Sequence, residues 1–172
     1  TFMEVRNRLM LMTFFDTGIR VSELIDLNLS QVKDEYILIH GKGDKERVVP
    51  KSPLLNKWMF KYLSTRENFF AYRRVPENVF LSRNGRPMTT EAIHRVIKIA
   101  GKAVGVSRDI RVSPHTCRHT FAQMQLKNGL DLYSLSRLMG HSNISITQRY
   151  LEGLRDFEVL NACKATGILM NL

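Results

Sequence analysis

Six polar side chains of types suited to phosphate chemistry are spread along this sequence of 172 residues. Guanidinium, ammonium and imidazole groups bind the negative charge of a phosphodiester, and a phenol hydroxyl beside them is a candidate nucleophile. The six residues are Arg20, Lys42, His115, Arg118, His141 and Tyr150. Each has an ordinary structural explanation when taken alone, so the neighbouring residues decide what the set means.

His115 and Arg118 are the pair whose spacing alone predicts a shared geometry. Three positions apart on a helix, their Cβ atoms lie about 5–6 Å apart on one face, where both can touch one phosphate. His119 is also near His115, and a core histidine with a hydrogen-bond partner is the favoured interpretation for it. Cys117 would point about 200° away from His115 on a helix, which argues against a Cys/His nucleophile.

The other candidates are weaker when judged one by one. Lys42 and Lys45 compete for one role in a charged hairpin tip, and solubility is the ordinary explanation for such a tip. The glycines that flank Lys42 would let the backbone approach a ligand closely, and the lysine could then give a proton to a leaving oxygen. An isolated residue such as His141 or Tyr150 is more often structural than catalytic.

Composition narrows the classes of function. The net charge of +10 favours a polyanionic partner, such as DNA, RNA or an acidic membrane surface. No run of about 18 apolar residues is present, so a membrane span is not expected. The two cysteines, Cys117 and Cys163, have no metal-site spacing and are expected to be free thiols in a reducing cytoplasm.

Apolar periodicity predicts a mainly α protein with a small antiparallel β-sheet, an α+β fold. The predicted helices cover about 3–15, 21–27, 54–63, 90–104, 114–129, 130–139 and 144–151, and the strands cover 36–39 and 47–49. Gly18 is expected to end the first helix, which puts Arg20 at a corner between two helices. Thr89 or Thr90 is expected to cap the fourth helix. A further short amphipathic segment is expected at about 155–166.

The six residues and their contexts together resemble one family, the tyrosine recombinases, also called phage-type integrases. The matching motifs are TGIRVSEL at 17–24, GKGDKER at 41–47, HTCRHTFA at 115–122 and LMGHSNISITQRY at 138–150. The resemblance covers residues from about 6 to 152 and is nearest to the Xer-type and integrative-element branch. It implies the tyrosine recombinase catalytic-domain fold.

The resemblance also implies a mechanism of DNA strand breaking and rejoining that needs no metal, cofactor or ATP. In it, Tyr150 attacks a DNA phosphodiester and forms a covalent 3′-phosphotyrosine, while His115 accepts or relays its proton. Arg20 and Arg118 bind the non-bridging oxygens. Lys42 protonates the departing 5′-oxygen. The role of the sixth residue, His141, is to hydrogen-bond the phosphate or to position its neighbours.

The resemblance further implies how the protein is organised and what it works with. The chain is expected to be one catalytic domain over 1–172, with a core to about 152 and a tail over about 153–172. The tail either docks on a neighbouring subunit or packs on its own domain, and the N-terminal core-binding domain is expected to be absent. Double-stranded DNA is the expected partner, with accessory DNA-bending or directionality proteins and no membrane. A homotetramer on DNA is expected for the full-length protein, which is bacterial or phage-encoded and cytoplasmic, and a monomer for this fragment.

Two alternatives remain open at the level of the sequence. A type IB topoisomerase shares the chemistry but would relax supercoils without strand exchange. A DNA-binding protein that has lost catalysis would bind without cleaving. The recombinase, acting in DNA integration and recombination of a mobile element or phage, is the favoured function because all four motifs match in order.

Overall fold

Helices form most of the described chain, and two antiparallel strands accompany them. The computed structural model describes residues 1–41, 46–141 and 143–150. The described helices and strands are α1 (Phe2–Thr17), α2 (Val21–Asp26), β1 (Tyr36–His40), β2 (Glu46–Pro50), α3 (Pro53–Phe69), α4 (Thr90–Ala103), α5 (Pro114–Lys127), α6 (Leu132–Met139) and α7 (Ser145–Gln148). The predicted mainly α class with a small antiparallel sheet is confirmed.

Contacts between Cα atoms divide the chain into two compact units, Thr1–Arg118 and His119–Leu172, with the boundary inside α5. Each unit has an apolar core of its own. The first core takes buried side chains from α1 to α4, both strands and the segment 79–81. The second is built around Phe121, Ala122, Leu135, Met139 and Tyr150. The domain boundary expected near 152 stays a prediction, since residues 151–172 lie outside the described part.

The first helix ends where the sequence predicts. Gly18 adopts a left-handed conformation with φ 59°, and its N–H donates to the Phe14 carbonyl at 3.1 Å. Glycine takes this conformation without the steric cost that a Cβ atom brings. Asp16, in the last turn of α1, accepts a hydrogen bond from the backbone N–H of Ser52 at 2.9 Å. Because Ser52 caps α3, this bond fixes the start of α3 beside the end of α1.

The short helix α2 is held by the chain segment that follows α3. The N–H of Val79 donates to the Leu27 carbonyl at 2.7 Å, and the side-chain amide of Asn78 donates to the Ile25 carbonyl at 2.9 Å. A helix of six residues is not stable in isolation. These contacts therefore supply part of the stability that α2 lacks by itself.

Helix α3 runs to Phe69, six residues beyond the predicted end at 63. The reason is tertiary. The Tyr62 hydroxyl donates to the Val79 carbonyl at 2.8 Å, and Arg66 donates to the Pro76 carbonyl at 2.7 Å. Tyr62 lies within the predicted span, but Arg66 is buried although it is charged, so an apolar pattern could not reveal this last part of the helix.

The two strands pair in the register that joins Tyr36 to Pro50 and His40 to Glu46. Ile37 and Ile39 lie on the buried face. The pair of His40 and Glu46 is the last of the register, and Nδ1 of His40 lies 3.0 Å from Oε1 of Glu46 between half-exposed side chains. Strand β2 begins next to residues 42–45, which lie outside the described residues.

The later helices begin at local signals. Thr89, rather than Thr90, caps α4, and its hydroxyl accepts the N–H of Ala92 at 3.2 Å. Asp131 caps α6 in the same way, and Gly140 ends it at φ 64°. Helix α7 is shorter than predicted because the N–H of Tyr150 bonds three residues back, to the Thr147 carbonyl at 3.0 Å, and so closes a turn.

Gly85→Ala tests the packing between two turns of the first unit. A Cβ atom at Gly85, where φ is +77°, would lie 2.8 Å from the Cγ1 atom of Val75. Gly105→Ala is the matched control, because its φ is +70° with nothing within 4 Å. We expect the control to lose about 1 kcal/mol of unfolding free energy and Gly85→Ala about 2 kcal/mol more. Equal losses in urea denaturation would contradict this packing.

Candidate active site

Arg20 lies at the corner between α1 and α2, as predicted. The backbone turns at Gly18, buries Ile19 completely and then extends at Arg20, with φ −74° and ψ 152°. The side chain of Arg20 is 38% exposed beside that buried neighbour. We call residues 18–20 the arginine corner.

A buried carboxylate holds the arginine corner. Oε1 of Glu23 accepts from Nη1 of Arg20 at 2.8 Å, and Oε2 accepts from the backbone N–H of Arg20 at 2.8 Å. Arg47 of β2 donates to the same two oxygens at 2.8 and 2.7 Å. Glu23 and Arg47 are only 7% and 10% exposed. This carboxylate therefore joins α2 to the strand that follows residues 42–45.

Glu23 remains ionised at neutral pH. Burial by itself would raise the pKa of this carboxyl, but the hydrogen bonds from Arg47 and from the Arg20 backbone outweigh it and lower the pKa to about 2. Sequence reasoning missed both Glu23 and Arg47 as members of the site. The available signal was a glutamate three residues after Arg20, the spacing of a helix capping box.

Helix α5 brings Arg118 to the arginine corner. The helix starts at Pro114, and Arg118 is 6% exposed. Its Nη1 donates to the carbonyl of Gly18, 100 residues earlier in the chain. His115 is exposed one turn before Arg118 on the same helix. The first unit thus brings both predicted arginines, Arg20 and Arg118, to one corner.

Cys117 has the environment of a core residue. Its side chain is buried, whereas His115 on the same helix is exposed. Burial raises the pKa of the Cys117 thiol to about 11, so the nucleophilic thiolate is nearly absent at neutral pH. A nucleophilic role for this cysteine is therefore disfavoured, as the helical spacing predicts. The other cysteine, Cys163, lies outside the described residues.

In the second unit, Tyr150 is packed with two histidines and a threonine, which we call the tyrosine cluster. Tyr150 is 7% exposed. The ring of His141 is nearly parallel to the Tyr150 ring, at 11° and 6.3 Å between centroids. His119 meets the same ring edge-on at 5.1 Å. Nδ1 of His141 lies 2.8 Å from the hydroxyl oxygen of Thr147.

The structure thus brings two of the predicted residues, His141 and Tyr150, together with one that was discounted. His119 was expected to be a core histidine with a hydrogen-bond partner, and it is half-buried against the Tyr150 ring. Thr147 was missed, and its signal is weak, because a threonine inside a predicted helix is ordinary. Lys42, its competitor Lys45, the tail over 153–172 and the helical segment expected at 155–166 lie outside the described residues.

In the described part of the chain, no group of three or more histidine, cysteine, aspartate or glutamate side chains is placed to hold a metal ion. Among the same residues, no helix is both long enough and apolar enough to cross a membrane.

Comparison with known proteins gives the family. Residues 2–155 match the Phage integrase family. The chain belongs to the phage integrase family. Tyrosine recombinase XerD of Staphylococcus aureus (strain N315) is 39% identical over 147 residues, which are 84% of this chain and 49% of that protein. XerD of Lacticaseibacillus casei is 39% identical over 148 residues, 85% of this chain and 50% of that protein.

Solved structures give the same fold for this phage integrase family member. The XerA recombinase crystal structure matches with a TM-score of 0.83 and 29% identity, over 96% of this chain and 59% of that chain. XerH, solved in a post-cleavage complex with its palindromic difH substrate, matches with a TM-score of 0.79 over 99% of this chain and 47% of that chain. At 22% identity, XerH shows the fold alone.

The predicted resemblance is therefore confirmed, and the matched region corresponds to the tyrosine recombinase catalytic domain. The chain spans about half the length of the curated relatives it matches.

Glu23→Gln tests the carboxylate at the arginine corner. Removing the buried charge leaves Arg47 without its bidentate partner, so we expect a loss of about 3 kcal/mol of unfolding free energy at pH 7. Because the folded pKa lies below the ordinary value, the wild-type advantage is complete above pH 4.5 and falls as the pH drops toward 2.

Urea unfolding at several pH values measures this difference. Glu67→Gln, at an exposed position on α3, is the control and should change stability by less than about 0.5 kcal/mol. If the loss of unfolding free energy caused by Glu23→Gln did not depend on pH between 2 and 4.5, the Glu23 carboxylate would not be the ionised group that holds this corner.

The thiol of Cys117 should be unreactive in the folded chain. With a pKa of about 11, only about one thousandth of it is thiolate at pH 8. In a Cys163→Ser background, we expect no labelling of native protein by a disulfide reagent and complete labelling in urea. Absorbance of the released thiol gives the rate, and fast labelling of the native chain would show that the site is open.

Proposed function

We propose that this chain is the catalytic part of a site-specific DNA recombinase that acts through a covalent 3′-phosphotyrosine. The observation that supports this most strongly is the extent of the family match. Residues 2–155 include all six predicted catalytic residues, and Tyr150 lies near the end of that region. The DNA-strand exchange reaction, its substrates and its partners are proposed for this chain from its relatives and from its own residues.

In the proposed reaction, the Tyr150 oxygen attacks the phosphorus of a DNA phosphodiester. A bond forms between that oxygen and phosphorus, and the bond from phosphorus to the 5′-oxygen breaks. The phenol proton passes to His115, and the leaving 5′-oxygen takes a proton from Lys42. A free tyrosine has a pKa near 10, so this deprotonation requires a base. The phosphotyrosine keeps the energy of the broken bond, so a 5′-hydroxyl can reverse the step without ATP.

Arg20 and Arg118 have the proposed role of binding the non-bridging oxygens, where charge increases in the transition state. Their positions support it, since the Arg118 side chain reaches the corner that holds Arg20. A guanidinium has five N–H donors, so the bond from Arg118 to the Gly18 carbonyl is compatible with phosphate contacts. Glu23 has the proposed role of orienting Arg20. The assignment of Lys42, rather than Lys45, depends on the family motif.

The proposed partner is double-stranded DNA, with a homotetramer of the full-length protein on it and accessory proteins in some reactions. A net charge of +10 supports a polyanionic partner. Among proteins of the same fold, lambda integrase was solved as a dimer bound to a core site. Integration and recombination of mobile-element or phage DNA is the proposed setting. The proposed location of the protein is the bacterial cytoplasm, where such DNA is found.

Tyr150→Phe should abolish the covalent adduct, because it removes the attacking oxygen and keeps the ring. The wild-type chain is mixed with a suicide duplex that carries att or dif-like sites, and covalent protein–DNA product is measured on a denaturing gel. We expect the variant to form at least about 10³-fold less product. Phe15→Tyr, which adds a hydroxyl at an exposed ring of α1, serves as a control that should cleave normally.

The same assay separates the alternatives. An adduct that forms with Tyr150→Phe would exclude this nucleophile. Supercoil relaxation without strand exchange would favour a topoisomerase. A DNA footprint without any covalent product, even from the wild-type chain, would favour a binding protein without catalysis.

A further inference from the structure

Thr147 contacts two of the proposed catalytic residues at once. It is completely buried, on the short helix α7. Its hydroxyl oxygen lies 2.8 Å from Nδ1 of His141, and its carbonyl accepts the backbone N–H of Tyr150 at 3.0 Å. One side chain and its own peptide group therefore fix the positions of the histidine and the tyrosine.

The burial of Thr147 determines which atom donates in its bond to His141. A hydroxyl has one hydrogen to donate, and Nδ1 of His141 is its hydrogen-bond partner in the described part of the chain. If Nδ1–H were the donor, the buried hydroxyl hydrogen would lack an acceptor, which costs more than leaving an oxygen lone pair unused. The hydroxyl of Thr147 is therefore the donor, Nδ1 is the acceptor, and neutral His141 carries its proton on Nε2.

The backbone fixes the His141 ring as well. Gly140 ends α6 in a left-handed conformation, and the N–H of His141 donates to the Ser136 carbonyl at 3.0 Å. The ring then lies nearly parallel to that of Tyr150, at 11°. The backbone of His141, the Nδ1 atom of its ring and the plane of its ring are therefore each fixed by a neighbour. The direction of the Nε2 atom follows from these three constraints.

We propose that Thr147 is a positioning residue, which holds His141 with Nδ1 as acceptor so that Nε2–H is the donor offered to a phosphate oxygen. This inference rests on the proposed function and sharpens the role of His141 in it. The opposite tautomer would turn the lone pair of Nε2 toward an anion and repel it.

Nitrogen NMR of the chain with labelled histidine tests the bond without DNA. In the neutral form of the ring, we expect His141 to show a protonated Nε2 and an Nδ1 resonance shifted by an accepted hydrogen bond. Thr147→Val replaces the hydroxyl by a methyl group of similar size. In this variant, the Nδ1 resonance should move to the position of an unprotonated imidazole nitrogen that accepts no hydrogen bond. Thr147→Ser, which keeps the hydroxyl, should retain the wild-type resonance.

Single-turnover cleavage of the suicide duplex measures the consequence. We expect Thr147→Val to slow adduct formation about ten- to a hundredfold, because the donor to the phosphate is no longer fixed, and Thr147→Ser to restore most of the rate. Thr13→Val is the matched control, since Thr13 is also completely buried and its hydroxyl bonds to the Leu9 carbonyl in α1. It should lose stability without losing rate.

Two results would overturn the inference. One is an Nδ1 that is protonated in the wild-type chain, which can be observed even if Thr147→Val does not fold. The other is a Thr147→Val variant that cleaves at the wild-type rate with an unchanged Nδ1 resonance, and this would leave the proposed function intact. A wild-type chain that never forms an adduct would instead reject the proposed function, while the NMR comparison would still decide the bond.

Discussion

The ion pairs of the buried Glu23 carboxylate are the interaction on which the arginine corner depends. An ionised group that leaves water must recover its solvation from donors in the protein. Glu23 recovers it from the side chain and backbone of Arg20 and from both terminal nitrogens of Arg47. Because these donors lie at the N-cap of α2 and on β2, satisfying one charge fixes the arginine corner relative to the strand beside residues 42–45.

The same unit shows how short elements obtain their stability from polar contacts. Tyr62 and Arg66 of α3 bind carbonyl groups of the segment 76–79, and that segment in turn bonds the end of α2. In α3, the buried guanidinium of Arg66 therefore stabilises the end of the helix through contacts that an apolar pattern cannot reveal. The tyrosine cluster of the second unit follows the same rule, with a buried hydroxyl on Thr147 that fixes an imidazole.

Local sequence signals predicted most of the secondary structure correctly. Gly18 and Gly140 end helices in left-handed conformations, and Thr89 and Pro114 mark the starts of others. These predictions succeed because a cap is made between residues only a few positions apart. The end of α3 and the early end of α7 were missed, since the first depends on distant carbonyls and the second on the turn at Tyr150.

The sequence by itself determined the family, the order of the motifs and the identity of the candidate residues, because residue types and short spacings are properties of the chain alone. Only the tertiary structure decided which contacts hold these candidate residues in place. Arg47 reaches Glu23 across 24 positions, and Arg118 reaches Gly18 across 100. Contacts of this kind form only when separate elements pack together. They are the reason why the support that Arg47 gives to Glu23 became visible only in the folded chain.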